Sequence, residues 1–372
     1  MPSTASQAGA PVARPTLASL TTLRVGGPVA DYQETGSEED LVAAVRRADL
    51  AGTPVLVLGG GSNLLAGDTG FGGLVVRDTR RGITGGADPA AARASITVPA
   101  GQPWDEVVAL AVSEGWVGME ALSGIPGSTG ATPVQNVGAY GQDVGETLST
   151  VRVYDRAQQR VRTLTVDELG LGYRTSVLKR SLTDPVAGGG RTWGPTGRYV
   201  VLEVGFRLRL TDRSAPVRYA ELARHLGVEV GGTAPAREVR EAVLDLRRGK
   251  GMVLDAEDPD TWSAGSFFTN PVLTAEQAEV LPPDAPRFAV DDAGRPAVKT
   301  SAAWLISHAG FRKGYGLPGP AALSTKHPLA LTNRGRARAE DLVALARTVR
   351  DGVHTTYGIE LRPEPVLLGE AL

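Results

Sequence analysis

The chain has 372 residues, 22% of them charged, with a formal net charge of -2 and no cysteine. Near-neutrality gives no basic field for nucleic acid or an anionic membrane surface, and no apolar run reaches bilayer-spanning length, so small molecules become the expected partners. Lack of cysteine excludes disulfides, thiolate nucleophiles and iron–sulfur ligation, and His225, His308, His327 and His354 are too scattered for a zinc site, so no catalytic metal is expected.

Residues 1–16 are rich in Ala, Pro, Ser and Thr and lack a basic start followed by an apolar stretch. They read as a disordered tail on a cytoplasmic protein rather than a secretory signal. Ser37 and Asp40 then open a helix, with Leu41, Val42, Val45 and Ala48 at helical spacing before Gly52. Val55-Leu56-Val57-Leu58 is a short buried-strand run that feeds into Gly59-Gly60-Gly61-Ser62-Asn63. The order recurs near residue 100: Ile96-Thr97-Val98 reads as a strand, and Trp104 to Ser113 as a helix leading to a glycine-dense stretch. Residues 151–164 and 199–210 alternate as strands, with Val200, Leu202, Val204 and Phe206 on one face, and predict antiparallel pairing. After a polar break at 211–215 the pattern turns helical, over 237–246, 302–309 and the stripe Leu342, Leu345, Val349, Val353, which stops at Gly358. Residues 359–361 and 366–368 read as extended around Pro363 and Pro365. The class is α+β.

The stretch from Gly124 to Glu146 is too polar and glycine-dense to be core. Its glycines allow close backbone approach, Pro126 and Pro133 stiffen it, and its N–H groups suit an anion; a solvated surface loop is the alternative. Gly59-Gly60-Gly61-Ser62-Asn63 lacks both the Rossmann and the Walker spacing, and by itself reads as a tight turn. Two glycine-rich loops that each follow a strand point to a diphosphate held between them, and so to a dinucleotide such as FAD. Tyr173-Arg174-Thr175-Ser176 sets a guanidinium beside a phenol, Gly265-Ser266-Phe267-Phe268 exposes a hydroxyl against aromatics, and Glu364 is held between Pro363 and Pro365. Each of these alone has an ordinary structural explanation.

Together the segments resemble the UDP-N-acetylenolpyruvoylglucosamine reductase family (MurB) from Leu17 to about Gly369. The resemblance rests on residues 22–27, 58–65, 124–146, 173–176, 265–271, 326–327 and 363–364, and Tyr219 in Arg218-Tyr219-Ala220-Glu221-Leu222 resembles the substrate-loop tyrosine of the family's longer form. It implies an FAD-binding domain of the vanillyl-alcohol-oxidase (PCMH) type over 17–211, a smaller α/β substrate domain over 212–358, and a C-terminal extended segment, 359–372, that carries Glu364. Arg174, Ser266 and Glu364 fall on the family's catalytic positions. Implied cofactor contacts are Gly59, Gly60, Gly61, Ser62 and Asn63, then Gly124, Pro126, Gly127, Ser128, Thr129, Gln135, Asn136, Gly138, Ala139 and Tyr140. Tyr173, Tyr219, Lys250, Asn270 and His327 are implied substrate contacts.

The implied reaction passes hydride from NADPH to FAD and on to the vinyl carbon of UDP-N-acetylglucosamine enolpyruvate. Arg174 fits a bidentate partner for the substrate carboxylate, and Lys250 either shares that work or holds the diphosphate. Glu364 is either protonated or an orienting acceptor, and Ser266 is the proton donor. FAD is expected to be non-covalent, because the chain has no cysteine and no histidine before His225. A monomer is expected. The rivals are an oxidase on the same scaffold and a non-catalytic flavin-binding module.

Overall fold

The computed structural model describes residues 14–292 and 294–372. The expected tail lies outside the described residues as far as residue 13, whereas Thr16 is already part of the fold: it bridges Pro28 and caps a short helix, Leu17–Leu20. Strand β1 (Val29–Thr35) leads into helix α1 (Glu38–Leu50) and then β2 (Val55–Val57). Ser37 accepts the Asp40 N–H, three acidic residues lie at the positive start of α1, and Leu41, Ala44, Val45 and Ala48 form its buried face. After the first glycine loop comes β3 (Leu64–Ala66). Then β4 (Phe71–Asp78) inserts between β1 and β2, parallel to both.

An antiparallel sheet is built from β5 (Thr84–Asp88), β6 (Arg93–Pro99), β7 (Leu148–Asp155), β8 (Arg160–Thr165) and β9 (Tyr199–Leu210), in the order β8-β7-β9-β6-β5. The stretch read as alternation over 151–164 is a hairpin, with Val151 opposite Leu164. The single-face reading of β9 needs correction. Val200 and Leu202 pack with Leu41 and Val45 of α1, whereas Val204 and Phe206 pack with Trp104 and Val108 of helix α2 (Trp104–Ser113). The cause is a register shift opposite Arg152 and Val153, where β9 carries one extra residue and its side chains change face.

Helices α3 (Val177–Arg180), α4 (Ala220–Leu226) and α5 (Ala236–Gly249) precede a small sheet of β10 (Val272–Leu273), β11 (Phe288–Asp292) and β12 (Arg295–Lys299), then α6 (Ala302–His308) and α7 (Ala339–Tyr357). The stripe Leu342, Leu345, Val349 and Val353 of α7 packs with Phe267, Phe268, Ile306 and Leu331, and Leu23, Val25 and Leu65 from the start of the chain join the same core. Residues 359–361 form no strand. Beyond an isolated bridge from Pro363 to Phe268, β13 (Val366–Leu368) pairs parallel to β3 with Val366 opposite Leu64, so the chain end is stitched beside the first glycine loop. Among the described residues no helix is long and apolar enough to cross a membrane.

Candidate active site

The two glycine-rich loops are in contact. A Cβ on Gly60 would lie 2.6 Å from the Gly127 Cα, so the backbones touch where any side chain would separate them. Ser62 Oγ donates to the Pro126 carbonyl at 2.8 Å, and Asn63 Nδ2 donates to Gln135 Oε1 at 2.8 Å. Among the described residues, the N–H groups of Gly59, Gly60, Gly61, Ser62 and Asn63 have no backbone acceptor, and neither do those of Gly127 and Ser128. Residues 59–63 and Ser128, buried or half-buried, line one space, and a run of unpartnered N–H groups there is an anion cradle. That space is a cavity of about 560 Å³, walled on its apolar side by Leu56, Leu58, Ile125, Val134, Val137 and Leu178. Free N–H groups for a diphosphate beside apolar walls for planar rings fit FAD.

Not every expected cofactor residue reaches the cavity. Gly59, Gly60, Gly61, Ser62, Asn63, Pro126, Ser128, Gln135, Gly138, Ala139 and Tyr140 line it, whereas Gly124, Gly127, Thr129 and Asn136 do not. The Gly124 N–H is taken by Asp105 at 2.6 Å, and Gly127 is the contact with Gly60. Thr129 donates its hydroxyl to the Gln102 carbonyl at 2.9 Å, and Asn136 accepts from the Gly145 N–H at 3.0 Å and donates to the Gly172 carbonyl at 3.2 Å. Both shape the loop from behind, because small polar side chains satisfy nearby backbone groups first.

Arg174, Ser266 and Glu364 all line the cavity. Arg174 has a left-handed backbone, φ 54°; its Nη2 donates to the Gly138 carbonyl at 2.6 Å, and its Nε lies 3.2 Å from Glu364 Oε1. Nη1 is less committed, at 3.5 Å from the Asn136 carbonyl and 3.8 Å from Asp143 Oδ1. The free bidentate fork expected from the sequence is therefore already partly used, and one nitrogen remains for a ligand. Glu364 also takes the Gln135 Nε2–H on Oε1 at 3.2 Å. Burial pushes its carboxyl above the ordinary value, while Arg174, Lys179 and Gln135 pull the other way. Arg362, separated from it by Pro363, is exposed, and its carbonyl accepts from the Thr269 N–H. The Ser266 hydroxyl has no protein partner among the described residues. Its backbone is fixed by Phe267 and Phe268, whose rings pack edge to face at 5.1 Å.

Of the expected substrate residues, Tyr219, Lys250 and His327 line the cavity, and Tyr173 and Asn270 do not. Asn270 caps α6 by accepting the Ala302 N–H at 3.0 Å, and its own N–H reaches the Tyr173 hydroxyl at 3.3 Å. Tyr219 packs edge to face on Tyr140 at 5.5 Å. Lys250 is paired with Glu221, and its Nζ lies 5.5 Å from the centre of the Tyr140 ring. Burial, with Lys250 and Lys313 nearby, brings the His327 imidazole down to about 4.

Two basic residues at the site escaped the sequence reading. Arg247 lines the cavity and donates through Nη2 to the Met252 carbonyl at 2.8 Å, while its buried Nε has no partner. Lys179 donates to Gln135 Oε1 and to the Glu364 carbonyl, each at 3.2 Å. Arg247 stands three positions before Lys250, one helical turn away, which was a usable signal.

Residues 257–368 match the domain family described as UDP-N-acetylenolpyruvoylglucosamine reductase, C-terminal domain, and residues 32–165 match the family described as FAD binding domain. Proteins named UDP-N-acetylenolpyruvoylglucosamine reductase are similar throughout. That of Nocardia farcinica is 54% identical, covering 96% of this chain and 89% of its own. That of Thermobifida fusca is 52% identical, covering 96% and 97%. The crystal structure of the Thermus caldophilus enzyme superposes with a TM-score of 0.61 at 25% identity, covering 96% of this chain and 98% of that one. Identity of about half along nearly the whole length, on a chain whose two loops form a dinucleotide cradle, places this protein in the UDP-N-acetylenolpyruvoylglucosamine reductase family.

Proposed function

We propose that the protein reduces UDP-N-acetylglucosamine enolpyruvate to UDP-N-acetylmuramate with electrons from NADPH, with Ser266 as the proton donor. It is an oxidoreductase of peptidoglycan synthesis with FAD as its cofactor. The observation that carries the finer reading is the meeting of Arg174, Ser266 and Glu364, from distant parts of the chain, on one cavity beside the glycine cradle.

FAD, when bound, would supply the hydride-transfer chemistry between NADPH and the enolpyruvyl double bond. Hydride addition at the terminal carbon sends negative charge into the neighbouring carbon and its carboxylate. Arg174 stabilises that charge from a guanidinium already held by Gly138 and Glu364, so little reorganisation accompanies the reaction. The Ser266 hydroxyl, which spends no hydrogen bond on the protein, gives its proton to the carbanionic carbon, and that base is strong enough for a weak acid to serve. Glu364 acts in its neutral form, because an ionised carboxylate would oppose the developing charge. Lys250, beside Tyr140 and Tyr219, serves the diphosphate end. In this reading the acting unit is a cytoplasmic monomer, and its substrate is a water-soluble nucleotide sugar.

Mass spectrometry of the product tests this reading. A gain of two hydrogens on the enolpyruvyl substrate, dependent on NADPH, is expected; an unchanged substrate with oxygen consumed instead would point to the oxidase alternative.

A further inference from the structure

Lys179 is not needed by the mechanism above, does not line the cavity, and yet is partly buried against it. It rides on α3, which Ser176 caps by accepting the Lys179 N–H at 3.2 Å, and the Ser176 hydroxyl in turn donates to the Val134 carbonyl next to Gln135. Among the described residues no carboxylate oxygen lies within 4.0 Å of its ammonium. Its two bonds go to neutral oxygens, Gln135 Oε1 and the Glu364 carbonyl, each at 3.2 Å. A cation withdrawn from water without a paired anion is costly, and burial is the main influence lowering its pKa.

The bonds at Gln135 show what the cation does. Oε1 of that amide accepts from Lys179 Nζ and from Asn63 Nδ2, which leaves Nε2 to donate to Glu364 Oε1. The Arg174 Nε reaches the same Oε1 at 3.2 Å. With two N–H donors on Oε1, a proton there would clash with both, and Oε2 has no protein partner among the described residues. The other amide orientation would turn Nε2 toward the ammonium and the Asn63 amide, donor against donor.

We propose that Lys179 is a positioning residue for this reaction: its ammonium fixes the Gln135 amide so that Glu364 Oε1 is loaded with donors and Oε2 is the oxygen that carries the proton. The roles of Glu364 and Ser266 in this proposal rest on the functional reading above; the hydrogen-bond network does not. The charged and titratable groups that face Glu364 are Arg174, Lys179 and Tyr173, with Asp143 across Arg174. Removing Lys179 removes a cation that favours the carboxylate, so the Glu364 ionisation moves upward.

The test uses the FAD holoenzyme and Lys179→Met, Lys179→Arg and Gln135→Met variants, with two readouts. The first is the infrared C=O stretch of protonated Glu364, identified by its loss in Glu364→Gln and followed against pH without substrate. Lys179→Met shifts its midpoint up by about one pH unit, as for loss of a nearby opposite charge, and Lys179→Arg leaves it in place. An unmoved midpoint in Lys179→Met overturns the proposal. The second is flavin reoxidation by the enolpyruvyl substrate, which Lys179→Met slows about tenfold while reduction by NADPH stays unchanged. In the Gln135→Met background that penalty disappears, because the two residues act in series. Equal penalties with and without Gln135, or equal slowing of both half-reactions, would overturn it. If wild type is not reoxidised at all, the functional reading fails, and the infrared titration still decides whether Lys179 controls Glu364.

Discussion

The Glu364 N–H donates to the Phe267 carbonyl at 2.9 Å, so the segment that carries the carboxyl is hydrogen-bonded to the segment that carries Ser266. A bridge between Phe268 and Pro363 continues the pairing, and Val366 lies opposite Leu64 one step beyond the first glycine loop. Ser266, the Glu364 carboxyl and the dinucleotide cradle thus share one short backbone frame, and that frame generates separate expectations for each part.

Ser266→Ala removes a hydroxyl that no protein group uses among the described residues, so fold and flavin binding are expected to stay as they are. Flavin reduction by NADPH is expected at the wild-type rate, with reoxidation by substrate slowed on the order of a hundredfold. Stopped-flow absorbance of the two half-reactions checks this, and equal reoxidation rates would remove Ser266 from the chemistry.

Gly60→Ala puts a methyl group 2.6 Å from the Gly127 Cα, with backbone on both sides and no flexible side chain to yield. The loops must separate, at a cost of about 1–3 kcal/mol, and the anion cradle opens. A lower Tm together with substoichiometric flavin after purification is the expected result; full flavin occupancy would show that the contact does not shape the site.

Glu364 binds its proton more tightly when folded than its ordinary value allows, because it is buried. Such a group favours folding below the ordinary carboxyl range and opposes it as pH rises through its folded value. Glu364→Gln is therefore expected to raise Tm at neutral pH and leave it little changed in acid, while reoxidation by substrate falls sharply. Thermal melts across pH with both proteins decide it.

His327 titrates at about 4 against an ordinary 6.5, so its contribution to stability is complete above pH 6.5 and is lost as pH falls toward 4. Wild type should lose Tm over that window more steeply than His327→Asn, by on the order of a few degrees. Parallel curves would mean that the imidazole is not held neutral by burial and the nearby lysines.

Flavin is expected in the supernatant after acid precipitation, since there is no cysteine and no histidine before His225, which lies beyond both glycine-rich loops. Yellow precipitate would contradict non-covalent binding.

The two glycine loops announce themselves by composition, whereas Ser266 and Glu364, whose strings each have an ordinary structural explanation, stand out only through the family resemblance. What was not readable depends on convergence. Lys179 matters only because Asn63, Gln135 and Glu364, from three separate segments, arrive around it. Thr129 and Asn136 carry the right chemistry for a ligand, but nearby backbone groups claim them first. Strand β9 alternates cleanly in sequence, yet one extra residue against β7 redirects half of its apolar side chains to the other layer. The hydrogen bond from the Ala302 N–H to Asn270 Oδ1 at the start of α6 likewise joins segments far apart in sequence.

The most direct test is anaerobic stopped-flow of the holoenzyme: reduce the flavin with NADPH, then mix with UDP-N-acetylglucosamine enolpyruvate and follow the flavin absorbance. Rapid return of the oxidised spectrum, stoichiometric with added substrate, is the predicted result. A flavin that NADPH reduces but this substrate leaves reduced would contradict the account.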